Sequence, residues 1–364
     1  MFNLPGSRQT PIGLDVGGRH FAAVQLTRGK CATRVAAALL LPRTDDSPAP
    51  SGDEAHRLVQ AMDRAGFIGR RAVVAVPREK LLGSLVELPR GAALPVEQMA
   101  RMEVARSHRC TPDSFEVACW ELPAPARPTR VSPVMAVACR HEDAAAILDP
   151  LESAGLDVIA LDARACALAR AAARLTPASR GVTALLDLGW SAATLVLLYQ
   201  GAVVYERKIP DAGIGKLHAV LCERLHLERE VADYLLGEAS DGGPAAASAG
   251  SQDARTLLSA HLEALSGEAS ASFAYAAHQY ADAGVERVLL SGYGAAIPDA
   301  ARRLSKLFGV ESRTLAPADL APCRPEQKEA CMSPALLSAM GLAMHGTCEL
   351  SHAMETRATE SCKA

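Results

Sequence analysis

Two short segments carry the residue types that chemistry needs, and they carry them twice. Ile12–Gly13–Leu14–Asp15–Val16–Gly17 and Leu185–Leu186–Asp187–Leu188–Gly189 each run an apolar strand into an Asp-x-Gly turn. In such a turn glycine lets the backbone approach a phosphate, and successive N–H groups form a nest for an anion. The carboxylate can then hold Mg²⁺ through water, or orient an attacking water. A single Asp–Gly turn also closes ordinary hairpins, so two structural hairpins remain the other reading. A third element, Val288 to Ala296, runs a buried strand through Ser291 into Gly292–Tyr293–Gly294. It sets a helix start where a phosphate or an adenosine could sit.

These turns belong to a larger repeat. Each Asp-x-Gly is followed by a second strand, a Gly turn (Arg28–Gly29; Gln200–Gly201) and a third strand (Thr33 to Leu41; Val203 to Ile209). The second Asp follows the first by 172 positions, a whole-domain distance rather than a solenoid period. The spacing predicts two similar α/β domains in tandem. A helix from Asp53 to Ala65 and a buried strand from Ala72 to Val76 complete the first unit. Helices at Leu217 to Leu225, Arg229 to Leu236 and about Ala254 to Tyr280, then a strand at Arg287 to Leu290, complete the second. Further helices are expected at Arg302 to Phe308 and from Ser333–Pro334 through Ala343.

Between the halves, roughly Arg78 to Leu161, the pattern strand, helix, strand, strand, helix predicts a small α/β insert. The domain expectation is a first lobe of 10–77 with 162–180 and 333–345, an insert at 78–161, and a second lobe at 181–332. Gly242 to Ser251 reads as a flexible Gly/Ala/Ser loop, and 346–364 as a disordered tail.

Composition narrows the function classes. Among 364 residues the net charge is −3, with no basic stripe, which argues against a nucleic-acid partner. The ten cysteines include no C-x-x-C pair, so reduced thiols are expected rather than a metal site or a disulfide framework. Met1 to Gln9 lacks the apolar core of a secretory signal. No apolar run approaches the about 20 residues of a membrane span. The expectation is a cytoplasmic protein that reaches a membrane only through a partner.

The order of these motifs resembles the actin-like ATPase superfamily, and within it the PilM family of type IV pilus assembly proteins, relatives of FtsA. The segments that carry the resemblance are Pro11 to Gly17, Ala72 to Pro77, Leu88–Pro89, Glu97 to Glu103, Leu156 to Leu168, Leu185 to Leu198 and Val285 to Pro298. The resemblance implies a two-lobe fold of duplicated ribonuclease-H-like domains and a site for ATP and Mg²⁺. It also implies capture of the cytoplasmic N-terminal peptide of a PilN-like inner-membrane protein in a groove beside the insert, with pilus motor ATPases as further partners. The implied nucleotide contacts are Asp15, Gly17, Gly18, Asp187, Gly189, Ser191, Gly213, Gly215, Asp233, Gly292 and Gly294. Asp15 and Asp187 would hold Mg²⁺ through water if nucleotide binds.

Departures from the family pattern qualify that site. Gly18, Arg19, His20 and Ala22 stand where small hydroxyl residues and a Lys are usual. Trp190 and Ala193 replace small or hydroxyl residues, Tyr293 separates two glycines, and Leu236 stands where a ribose-contacting Lys would fall. His20 is either a substitute phosphate donor or a solvated strand-edge histidine. Trp190 and Tyr293 either stack on an adenine or fill a vacated pocket, and Glu223 to Asp233 reads as a solvated helix face. The expected role is a scaffold with weak or lost ATP binding and no catalytic residues. An active ATPase or sugar kinase, the cytoplasmic part of a type II secretion platform protein, and an FtsA-like filament protein are the alternatives.

Overall fold

The computed structural model describes residues 8–29, 32–45, 47–89, 94–125, 131–175, 181–238, 249–280 and 283–346. Strand β1 (Arg8–Gln9) precedes β2 (Ile12–Val16), whose five positions are all buried. β3 (His20–Arg28) and β4 (Thr33–Pro42) follow as an antiparallel meander. Helix α1 (Gly52–Arg64) starts at a reciprocal cap, in which the Ser51 side chain takes the Glu54 N–H and Glu54 reaches back to Ser51. β5 (Arg71–Val76) then joins β2 in parallel.

The insert is β6 (Leu81–Pro89), α2 (Val96–His108), β7 (Phe115–Glu121) and β8 (Val131–Arg140). Its strands pair antiparallel in the order β6-β8-β7, and α2 covers one face through Ala100 and Val104 against Val86, Phe115 and Val134. Helix α3 (His141–Ser153) and β9 (Asp157–Ala163) return to the first lobe. Ile147 and Leu151 of α3 share a core with Ile12, Leu14 and Leu58, and β9 pairs with β5. The insert therefore ends with β8 near Arg140, not at Leu161. The free edge of β5 and the apolar side of α3 draw the chain back.

Helix α4 (Arg164–Ala172) leads into β10 (Val182–Leu188), β11 (Ala193–Tyr199) and β12 (Ala202–Ile209), a second antiparallel meander. Helices α5 (Ile214–Leu225), α6 (Arg229–Gly237) and α7 (Ala249–Gln279) pack over it. β13 (Val285–Ser291) joins β10 in parallel, and α8 (Ala300–Phe308) and β14 (Ser312–Thr314) close the sheet in the order β12-β11-β10-β13-β14. Of the loop expected at 242–251, residues 249–251 are the first turn of α7, and 242–248 lie outside the described residues, as do tail residues 347–364.

The chain re-enters the first lobe earlier than Ser333. Short helices α9 (Pro317–Leu320) and α10 (Lys328–Cys331) already lie against β3 and β4, where Ala321 and Cys331 pack with Val24 and Val35. Helix α11 (Leu337–Ala343) then covers β2. Between the two sheets, α4 and α11 cross at backbone contact: Gly341 lies against Ala167, and the Arg170 Nε donates to the Gly341 carbonyl at 3.1 Å. Ala167 faces Val73 and Leu342, whereas Ala165 and Leu168 face Leu185 and Val196 of the second sheet. Among the described residues no helix is long and apolar enough to cross a membrane.

Candidate functional site

The duplicated meanders point their Asp-x-Gly turns at one another across the cleft between the lobes. The approach is direct, because a Cβ on Gly18 would run into the Ser191 hydroxyl. Asp15, Gly17, Gly18, Asp187, Gly189, Ser191 and Gly292 all line this one cleft. Gly294 instead turns into the second lobe, where a Cβ would lie 2.5 Å from Ile214 Cδ1. Gly292 adopts φ +83°, and its N–H donates to the Pro334 carbonyl at 3.1 Å. The space enclosed is about 120 Å³, against roughly 300–1,000 Å³ for ordinary small-molecule pockets.

The two carboxylates already hold a cation. Arg164, at the first position of α4, donates from Nη2 to Asp15 Oδ1 at 2.5 Å, and its Nη1 stands 3.7 Å from Asp187 Oδ2. The remaining oxygens are also engaged. Ser338 of α11 donates to Asp15 Oδ2 at 2.5 Å, and Ser291 donates to Asp187 Oδ1 at 2.9 Å. Burial pushes the Asp187 carboxyl above its usual range, with the Arg164 charge pulling back and Asp15 adding to the rise. Burial alone would lower Arg164, but Asp15 and Asp187 outweigh it and hold the guanidinium firmly protonated. A Mg²⁺ ion does not fit this donor set while Arg164 is in place, since the guanidinium already contacts a carboxylate of each lobe and Ser338 and Ser291 hold their other oxygens.

The donors at the start of α5 are likewise engaged. At the start of α5 the N–H groups of Ile214 and Gly215 donate to the Gly189 and Trp190 carbonyls at 3.0 and 2.8 Å, which removes the free donors that draw phosphate to a helix N-terminus. Gly213 and Gly215 are small because the Trp190 segment passes over them. A Cβ on Gly213 would lie 2.6 Å from the Ser191 carbonyl carbon, and one on Gly215 3.0 Å from the indole.

The far end of the cleft is filled by an aromatic and charged cluster around Arg19. Its guanidinium lies 4.1 Å from the centroid of the Trp190 ring and 5.0 Å from that of Tyr293, and pairs through both nitrogens with Asp233 of α6, Nη1 to Oδ1 at 3.0 Å. Asp233 also faces His218 Nε2 at 3.3 Å and the Tyr293 hydroxyl at 3.5 Å. His20 lines the cleft, half-buried, and stacks on Tyr293 with centroids 5.7 Å apart. Burial first, then the Arg19 charge, depress its pKa to about 4 against an opposing pull from Asp233. A neutral His20 in the folded state against an ordinary one near 6.5 in the unfolded chain means stability is full above pH 6.5 and falls toward pH 4. His20→Phe should flatten that part of the curve, measured as melting temperature against pH; an unchanged slope would place the titration elsewhere.

Asp233 thus touches two residues that line the cleft, Arg19 and Tyr293, whereas the helix face around it reads as solvated. Ala22 lines the cleft, but Leu236 is buried in the core of the second lobe. Sequence reasoning missed Arg164, Ser338 and His218. Nothing local marks them, because Arg164 and Ser338 reach the cleft from α4 and α11, and His218 reaches Asp233 behind it from α5, only once the chain is folded. Among the described residues no group of three or more His, Cys, Asp or Glu side chains is placed to hold a metal.

Comparisons with known proteins agree with this architecture. Over 93% of its length the chain is similar to a solved PilM-PilN type IV pilus biogenesis complex, 99% of that chain being covered at 21% identity and a TM-score of 0.73. It is similar to the ethanolamine utilization protein EutJ from Carboxydothermus hydrogenoformans, with 95% and 92% covered, 15% identity and a TM-score of 0.55. It is also similar to MreB 5 of Spiroplasma citri bound to AMPPNP, with 98% and 100% covered, 10% identity and a TM-score of 0.51. These likenesses show an actin-like two-lobe fold. A comparison with curated proteins returns no match. The family described as Type IV pilus assembly protein PilM matches residues 13–347, and the chain belongs to that family.

Proposed function

We propose that this PilM-family protein is a scaffold of a type IV pilus inner-membrane platform, which holds the cytoplasmic N-terminal peptide of a PilN-like membrane protein while its own cleft stays closed without Mg-ATP. The observation that carries the second half is the direct meeting of the two turns, Gly18 against Ser191, around a cavity of about 120 Å³. The first half is supported by family membership and by the likeness to a PilM-PilN complex. On this reading the protein is cytoplasmic and sits at the membrane through its partner, with pilus motor ATPases as further contacts.

The reading predicts no heat on titrating millimolar Mg-ATP into the full chain and no rise in melting temperature. Micromolar binding that Asp187→Ala abolishes would instead establish an ATP-dependent protein, the reading that the retained Asp15, Gly17, Asp187 and Gly189 favour. For the peptide, the insert can be excised at its neck, where Leu81 pairs with Cys139 and leaves Lys80 and Arg140 close together, at the loss of the packing of Trp120 and Leu122 on the second lobe. Joining those two residues by a short Gly/Ser link should abolish binding of a PilN-like N-terminal peptide and leave the second lobe folded. Undiminished binding by a folded excision variant would move the groove away from the insert.

A further inference from the structure

We infer that Arg164 and Arg19 are built-in cations that hold the two lobes together, so that closure of this cleft needs neither a divalent cation nor a nucleotide. The inference rests on the proposed reading of the cleft and deepens it. Asp15 belongs to the first sheet and Asp187 to the second, and their side chains are only 9% and 8% exposed. Two carboxylates brought together with so little solvent between them repel strongly, and one of them would protonate unless a cation intervened. Arg164 supplies that cation from α4, the helix that packs on both sheets, and its planar fork reaches one carboxylate of each lobe at once.

Arg19 repeats the arrangement at the other end of the cleft. It leaves the first lobe's turn and finds all its partners, Asp233, Trp190 and Tyr293, on the second. At the rim Arg78 pairs with Glu206 at 3.1 Å and Glu79 with Lys208 at 3.4 Å, again one residue from each side. The ionic links therefore run from the centre of the cleft to its edge, and each is made wholly of protein side chains.

Hydrogen exchange of the backbone amides at 16–20 and 189–192 in the full chain tests the inference, with Mn²⁺ as the divalent probe. The wild-type turns should exchange at the same rate with chelator, with Mn²⁺ and with Mg-ATP. Arg164→Met, which keeps bulk and removes charge, should exchange about tenfold faster or more, and Mn²⁺ should slow it by occupying the space between Asp15 and Asp187. Arg19→Ala, at a half-buried position where folding is not at stake, should exchange about tenfold faster with no rescue by Mn²⁺. Wild-type rates in Arg19→Ala, or in a folded Arg164→Met, would overturn the inference while leaving the nucleotide-free reading standing; if Arg164→Met does not fold, Arg19→Ala decides alone. Wild-type turns slowed by Mg-ATP would overturn the reading itself.

Discussion

Gly341→Ala is expected to be among the most damaging glycine-to-alanine changes at the described residues, with a loss of about 3 kcal/mol or more. The added Cβ would penetrate the Ala167 carbonyl and lie 2.5 Å from its carbon and 3.0 Å from the Ala167 Cα. No rotamer relieves such a clash, because both partners are backbone. The helices would have to separate, and α4 and α11 are what each sheet packs against. Gly267→Ala in α7 is the matched control. Its added methyl meets nothing within 4 Å, so it should be neutral or stabilising by up to ~1 kcal/mol on helix propensity alone. Thermal denaturation of the pair separates crowding from propensity, and equal melting temperatures would refute close backbone packing at the crossing.

Glu54→Ala should cost a comparable amount, about 3–5 kcal/mol, by leaving a buried guanidinium without its charge partner. The Arg43 and Glu54 side chains are 1% and 2% exposed and pair at 2.8 Å. Glu54 also accepts the Thr44 N–H at 2.9 Å, the Asp45 N–H at 3.3 Å and the Ser51 N–H at 3.4 Å. Burial works to raise its pKa but is outweighed by the Arg43 hydrogen bond, the Thr44 N–H, the Arg43 charge and the Asp45 N–H, and the result is about 2. A carboxylate depressed in the folded state contributes stability that is fully present above its unfolded value of 4.5 and lost as pH falls through about 2. Denaturation between pH 5 and 2 should therefore show a steep decline in the wild type and a shallower one in Glu54→Ala. Because Arg43 also donates to the Gly17 carbonyl at 3.0 Å, the same substitution should loosen the first turn of the cleft.

The repeat of apolar strand, Asp-x-Gly and second strand was readable because period and punctuation recur together at Asp15 and Asp187. Its two copies pair as expected, Asp15 opposite Ala22 and Asp187 opposite Thr194. The return of α3 and β9 to the first lobe was not readable. Ile147 and Leu151 carry an ordinary helical pattern that is silent about which core receives it. Helices α9 and α10 span four residues each, too short for periodicity to register. The cleft was half visible. Trp190 and Tyr293 stood out as bulk in turns that want small residues, yet their partner Arg19 looked only like a missing hydroxyl. Arg164 follows β9 in an alanine-rich helix, and its meaning depends on two carboxylates brought to it by separate sheets.

The hydrogen bond from Ser338 to Asp15 joins residues 323 positions apart, and it has a consequence for the order in which a ribosome delivers this protein. The strands of the second sheet come from one continuous stretch, Val182 to Thr314, and can pair as soon as that stretch has emerged. The first sheet cannot be finished then, because β2 is covered by α11, which is synthesised after every strand of the second sheet. Until Ala343 clears the exit tunnel, the bare face around Gly13, Val24 and Val73 is an apolar surface waiting for its lid, and a ribosome stalled before Leu337 would present that surface to chaperones rather than a finished lobe.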